Sequence, residues 1–272
     1  MASPQIYATG GGGTTGDELA TVKPLAMSGF TWYVSSATGT DAASPAGRER
    51  IKPLATLSQA YTNASAGDII YFLSGHQEVL TAVQTISKAG LLLVGEGTGT
   101  NRPRFTLNAS DLLFDITAAG VMLANLYFPA STVAPTPSRV RIAVGATVIR
   151  GCYFECGTLD TVTALQYVTG AGTALVADTT FASTSSDVAS QPAAAITVTN
   201  AMSDLTLDTV TLDGGTSGWS NPYAFVGSAA ITRLRATNLD LLRDSDVTVA
   251  TGSVYVVNTR YTSGSARLVL TA

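Results

Sequence analysis

The sequence is poor in charge: Asp, Glu, Lys and Arg together make up 12% of its 272 residues, about half the usual globular share. That deficit excludes a coiled coil, whose exposed helical faces need Glu, Lys and Arg. Histidine occurs once, as His76, and cysteine twice, as Cys152 and Cys156, so a metal site built on them lacks ligands. Residues four apart in an extended strand stand about 13 Å apart, beyond the ~7 Å Cα reach of a disulfide. The two cysteines are therefore expected to be plain thiols, as suits a reducing compartment. Long apolar runs are missing too. LLLV at 91–94 is far short of a membrane span. The opening MASPQIYATGGGG has neither the basic nor the apolar region of a signal peptide, and secretion by that route is not expected. With a net charge of −4 and no Lys/Arg run, a nucleic-acid partner is not expected either.

What fills the sequence is Ala, Thr, Ser, Val and Gly, with a hydrophobic fraction of 46%. That is too apolar for disorder and points to short β-branched strands between small polar turns. Residues 1–30 read as an N-terminal arm. Gly10 to Gly13 make it mobile by composition when isolated, and it is expected to be a docking segment. Ile6, Tyr7, Leu19, Val22, Leu25 and Phe30 are its candidate contact residues. Residues 31–272 read as one β domain. TWYVSS is its opening strand, ATGTDAASPAGRER a turn-rich loop, and a helix is predicted over about 53–64. Leu54, Leu57, Ala60 and Tyr61 fall there at helical spacing, with Pro53 suited to an early helical position. Ala66-Gly67-Asp68 ends that helix and IIYFL starts a buried strand.

From Asp111 onward the chain repeats. Six segments align: LANLYF (123–128), IRGCYF (149–154), VADTTF (176–181), LDTVTL (207–212), ATNLDL (236–241) and VVNTRY (256–261). The first position is always apolar, and the sixth is bulky and apolar: Phe128, Phe154, Phe181, Leu212, Leu241 and Tyr261. The third is Asn125, Gly151, Asp178, Asn238 or Asn258, with Thr209 the exception. Asn, Gly and Asp tolerate a left-handed backbone, so the pattern reads as strand, single-residue bend, strand. The sixth positions recur at intervals of 26, 27, 31, 29 and 20 residues. A drifting period of that size marks the coils of a solenoid with insertions at turns.

The residues of the first third also carry a family resemblance. TWYVSSATGTD followed by KPLATLSQAYTNASAGDIIYFLSGHQEVL resembles the opening of pectate-lyase-like β-helix proteins, of the kind found in tailed-phage virion proteins. Lys52, Pro53, Leu54, Thr56, Leu57, Ala60, Gly67, Asp68, Ile70 and Gly75 match that opening, while His76 departs from it. The match covers about 50 residues; the later coils agree in period only. The resemblance implies an all-β fold, a right-handed parallel β-helix of three sheets with the helix capping its N-terminal end, and the length from Asp68 to Ala272 leaves room for about eight coils. It says little about activity.

Chemistry is sparse in the linear pattern. Glycosidases need two carboxyl groups ~5–9.5 Å apart, which stacked coils supply when outward positions coincide. Asp178 and Asp208 lie near equivalent bends, and Asp204, Asp213 and Asp240 on later coils, but Asp178 reads better as a turn former. Glu155 is one of only five Glu, none spaced to pair with another. Asp244-x-Asp246, with Arg233 and Arg235 before it, reads as a solvated rim. His76 has no nucleophile motif and reads as a surface or packing residue. Gly95-x-Gly97-x-Gly99 is followed by Pro103, so it reads as a turn, not a phosphate cradle. Trp219 and Tyr223, in a turn insertion, are candidates for contact with a partner or a carbohydrate.

The expectation drawn from all this is a non-enzymatic structural component of a phage particle, most of all a capsid decoration or cement protein. It would dock through its arm to the major capsid or other virion proteins, as a homotrimer, within a virion assembled in the host cytoplasm. No catalytic residue, cofactor or metal is expected. The alternative is a tailspike-like depolymerase cleaving surface polysaccharide; a third reading is a bacterial adhesin.

Overall fold

The computed structural model describes Gly29 to Leu270 except 109–111, 131–137, 158–162, 169–171, 186–190, 217, 220–222, 228–230, 244–245, 250–251, 258 and 263–267. The chain winds through three sheets in turn. The first sheet begins with Thr31–Val34 and continues with Ile69–Phe72, Leu92–Gly95, Met122–Ala124, Thr147–Arg150, Thr173–Ala177, Met202–Asp208, Ile231–Thr237 and Gly252–Val257. The second holds Gln77–Leu80, Arg104–Leu107, Tyr127–Phe128, Tyr153–Cys156, Thr180–Ser183, Thr211–Asp213, Asp240–Leu242 and Arg260–Thr262. The third holds Gln84–Ile86, Phe114–Ile116, Ser138–Ile142, Thr163–Tyr167, Ile196–Val198, Tyr223–Gly227, Asp246–Val249 and Leu268–Leu270. Every strand except the first and last of each sheet pairs in parallel with its counterparts one coil before and one coil after, as Tyr153–Cys156 does with Tyr127–Phe128 and Thr180–Ser183. The fold is a parallel three-sheet β-solenoid.

The bend between the first and second sheets explains why the segments repeat as they do. Asn125, Gly151, Asp178, Thr209 and Asn238 all have positive φ, between 50° and 62°. Each also donates its backbone N–H to a carbonyl of the next coil: Asn125 to Arg150, Gly151 to Ala177, Asp178 to Asp208, Thr209 to Thr237 and Asn238 to Val257. The left-handed bend is thus part of the ladder, and one residue suffices to turn the corner. Thr209, the odd one out by residue type, adopts the same conformation at φ 55°, because its neighbours above and below dictate it. Asn125 adds side-chain bonds to the carbonyls of Gly95 and Gly97 at 2.9 and 2.8 Å.

After each bend the side chains alternate, and the sixth positions go inside. Phe128, Phe154, Phe181, Leu212 and Leu241 are all fully buried. Phe154 is stacked between Phe128 and Phe181, with centroids 4.5 and 4.7 Å away and planes within 16°. Tyr261 lies in register with Leu241. Both cysteines are free and buried, and burial pushes the Cys152 thiol up to about 12, which makes it inert as a nucleophile.

The helix α1 spans Leu57–Asn63, shorter than the 53–64 predicted. Pro53 stands outside it, because Leu54 is held in an extended bridge to Val34. Thr56 is the N-cap, its side chain accepting from the Gln59 N–H, and Asp41 accepts in turn from the Ala55 and Thr56 N–H groups and the Thr56 hydroxyl. Asp68, 2% exposed, accepts from Phe30 N–H, Trp32 Nε1–H and Ser65 N–H at 2.7, 2.8 and 2.8 Å. His76 is a packing residue, 1% exposed beside Phe72 and Phe105. Its Nδ1 accepts from Ser36 N–H at 3.0 Å, which assigns the proton to Nε2, facing Glu78 at 3.1 Å. Glu78 also accepts from Leu57 N–H at the start of α1.

Candidate functional site

The outward positions of the second sheet form two rows. One runs Gln77, Arg104, Tyr127, Tyr153, Thr180, Thr211 and Asp240. The other contains Glu155, Ala182 and Asp213 on three successive strands. At ~4.8 Å per strand, the Cα atoms of Glu155 and Asp213 stand about 9.6 Å apart. Ala182, 8% exposed, stands between them in the row.

Their surroundings differ. Asp213 accepts from Arg243 on both oxygens, at 2.9 Å from Nε, and from the Gly215 N–H at 2.9 Å. Glu155 forms no ion pair among the described residues; its Oε2 accepts from the Tyr127 hydroxyl. Its backbone carbonyl is gripped by Arg139, 4% exposed, at 2.6 Å, which fixes the strand under the side chain. Tyr127 and Tyr153 meet edge to face, centroids 5.5 Å apart. Burial and then the bond to Glu155 push the Tyr127 phenol up to about 12. Burial, then the charges of Glu155 and Asp213, also raise the Tyr153 phenol above its ordinary range. Tyr153 therefore lies within electrostatic reach of both carboxylates.

Linear alignment missed this pair because it stopped at the sixth position. The next residues along the six segments are Pro129, Glu155, Ala182, Asp213, Leu242 and Thr262; a seventh column would have placed Glu155 and Asp213 in one outward row. The carboxylates singled out from sequence have other roles. Asp178 sits on the bend and pairs with Arg150 at 3.1 Å, and Asp204 pairs with Arg233 one coil later. Asp208 accepts from the Thr237 hydroxyl at 2.6 Å. Asp246 begins a third-sheet strand, and Asp244 lies outside the described residues. On the outer face of the third sheet, Asp115 is held by a bidentate pair from Arg141 at 2.9 and 2.6 Å.

Of the residues expected to meet a partner, Ile6, Tyr7, Leu19, Val22 and Leu25 lie outside the described residues. Phe30 is 55% exposed with the Arg48 guanidinium 3.3 Å over its ring. Tyr223 starts a third-sheet strand. Trp219 is corrected: it is 5% exposed and joins the core cluster, because the turn insertion folds its indole against the solenoid instead of presenting it. Among the described residues no group of three or more His, Cys, Asp or Glu is placed to hold a metal, and no helix is long and apolar enough to cross a membrane.

No family model matches the chain, and no curated protein does. Among solved structures it is similar to the pectin methylesterase from Aspergillus niger in a penultimately deglycosylated form. The identity is 16%, the match covers 80% of this chain and 84% of that one, and the TM-score is 0.45. The likeness is one of fold. The expectation of a non-enzymatic chain does not stand. That expectation rested in part on the absence of paired outward carboxylates, and Glu155 and Asp213 stand in one outward row, two strands apart.

Proposed function

We propose that the chain is a polysaccharide depolymerase, hydrolysing glycosidic bonds between Glu155 and Asp213. The observation that carries this reading is their place in one outward row, two strands apart across Ala182. Of the two glycosidase arrangements, the wider inverting one, with carboxyl groups ~6.5–9.5 Å apart and a water beside the sugar, is the one we assign to a pair whose Cα atoms stand about 9.6 Å apart. Asp213, held in place by Arg243, takes a proton from that water. The water oxygen bonds the anomeric carbon, the glycosidic C–O bond breaks, and Glu155 gives its proton to the departing oxygen. Tyr127 holds Glu155 Oε2 and so fixes the orientation of the group. Solvent then restores both groups.

The tyrosine pair supplies a wall on which a sugar ring stacks, as aromatic faces do. In the same proposal α1 closes the first coil, and the eight strands of the second sheet form a rod of about eight coils along which a long glycan lies. Action as part of a phage particle, as a trimer docked through residues 1–30, belongs to the proposal on composition and resemblance alone.

The test is release of new reducing ends from a panel of bacterial surface polysaccharides by the full chain. Glu155→Gln and Asp213→Asn should each lower kcat by about 10²–10⁴-fold, and the product anomer, read by NMR, should be inverted. Full activity in both variants, or no cleavage of any panel member by the unmodified chain, overturns the reading.

A further inference from the structure

The outer faces of the three sheets are not alike. The outward row of the third sheet runs Thr85, Asp115, Arg141, Gln166 and Thr197, and that of the second begins with Gln77 and Arg104. The matching row of the first sheet is apolar over five successive strands: Ile69, Leu92, Met122, Val148 and Leu175. Beside it, Tyr71, Val94 and Ala124 continue the same face. Leu92, Val94 and Ala124, packed with Ile69, Tyr71 and Met122, form a hydrophobic cluster of their own, separate from the core inside the coils. Thr206 and then the exposed Arg235 end the row; Arg235 has no ion pair among the described residues. A contiguous apolar stripe outside a core marks a surface that another segment or molecule covers.

Five strands at ~4.8 Å make the stripe about 19 Å long, and it begins where the N-terminal arm joins the sheet. Ile69 pairs with Thr31, the first residue of the edge strand Thr31–Val34, and Asp68 fastens the Phe30 N–H just before it. The arm is therefore anchored at one end of the stripe. Residues 17–30, fully extended, reach about 43 Å, enough to run the stripe and come to Arg235, seven strands and about 34 Å from Thr31. Leu19, Val22 and Leu25 supply apolar contacts along that length, and Asp17 and Glu18 come at its far end, where Arg235 stands. A segment crossing strands packs through side chains and joins no ladder, so Pro24, with no N–H, is no obstacle. Tethering also gives the arm an effective concentration that a free second copy lacks. We propose that residues 17–28 lie along the outer face of the first sheet of their own chain, over the row from Ile69 to Leu175. Held so, the arm keeps the stripe from a second copy. Residues 1–16, with Ile6 and Tyr7, remain beyond it. The inference needs neither the hydrolytic reading nor a particle, since Glu155 and Asp213 stand on the second sheet.

The experiment is methyl NMR of the full chain labelled at methionine, with a soluble gadolinium chelate as the probe of exposure. Met122 stands in the stripe, and Met202, 2% exposed in the core, is the reference. In the unmodified chain the Met122 methyl should broaden little more than that of Met202, and equally so at every protein concentration. Leu19→Asp combined with Val22→Asp and Leu25→Asp should raise the broadening of Met122 several-fold and leave Met202 unchanged. The same variant should self-associate on sedimentation; one that stays monomeric would deny the arm its shielding role. A Met122 methyl that broadens freely in the unmodified chain overturns the inference with no variant needed. Shielding that disappears on dilution overturns it too, since it assigns the stripe to a second copy, and so does shielding that persists in the triple variant. Failure of the polysaccharide panel to be cleaved would sink the hydrolytic reading and leave these outcomes unmoved.

Discussion

At the residue scale, the interior rewards bulk and the outside tolerates nearly anything, so adjacent residues carry opposite burdens. Phe154 is fully buried between two parallel rings, whereas Tyr153, its chain neighbour, faces outward beside Tyr127. Phe154→Ala should cost about 3–5 kcal/mol of unfolding free energy, because the stacked column cannot close over the void. Tyr153→Ala should cost about 1 kcal/mol, and its effect should fall on glycan affinity instead. Chemical denaturation of both variants checks the contrast; similar losses would mean that the column is not the core. The alternation was legible in the aligned segments, since bulky and polar residues take turns after each bend. The bend conformation was legible at Asn125, Gly151, Asp178 and Asn238 by residue type, and illegible at Thr209, where the stacked neighbours override a β-branched side chain's preference.

At the element scale, the start of the solenoid is held by polar staples more than by propensity. Helix α1 is seven residues long, too short to be stable alone, and survives because Thr56, Asp41 and Glu78 satisfy its first N–H groups. Asp68 fastens Phe30, Trp32 and Ser65 together. Asp68→Ala would strand two backbone N–H groups and a buried indole N–H. The expected loss is about 3 kcal/mol or more, read as a lowered denaturation midpoint, and as faster hydrogen exchange confined to the first strand and α1. Unchanged exchange there would show the staple to be dispensable. The sequence marked Asp68 and Thr56 by resemblance to a known opening, but not their distant partners, which come from residues 15 to 38 positions away. The helix start was misread at Pro53 because a bridge to Val34, made across the chain, outweighs a local preference for proline early in a helix.

At the scale of the whole molecule, several half-covered phenols and the buried Cys152 thiol are held protonated. Burial raises Tyr71 and Tyr153 above the ordinary 10.0, takes Tyr127 up to about 12, and lifts Cys152 from 9.0 to about 12. The unfolded chain releases these protons at lower pH than the folded one, so stability is full below about pH 9 and falls as pH rises toward about 12. Urea midpoints at pH 8 and pH 11 should show the loss, and phenolate absorbance should appear together with unfolding instead of before it. A midpoint that is the same at both values would contradict the covered placement of these groups.

The solenoid itself was determined by the sequence alone, because a period of about 27 residues with one apolar column cannot bury that column in any arrangement but stacking. Which outward side chains become neighbours was decided only by tertiary structure. Glu155 and Asp213 are 58 residues apart in the chain, and their meeting depends on how much insertion each turn absorbs before the strands return to register. Hydrophobic burial sets the coil; hydrogen-bond register, summed over the turns between, sets which carboxylate stands two strands from another.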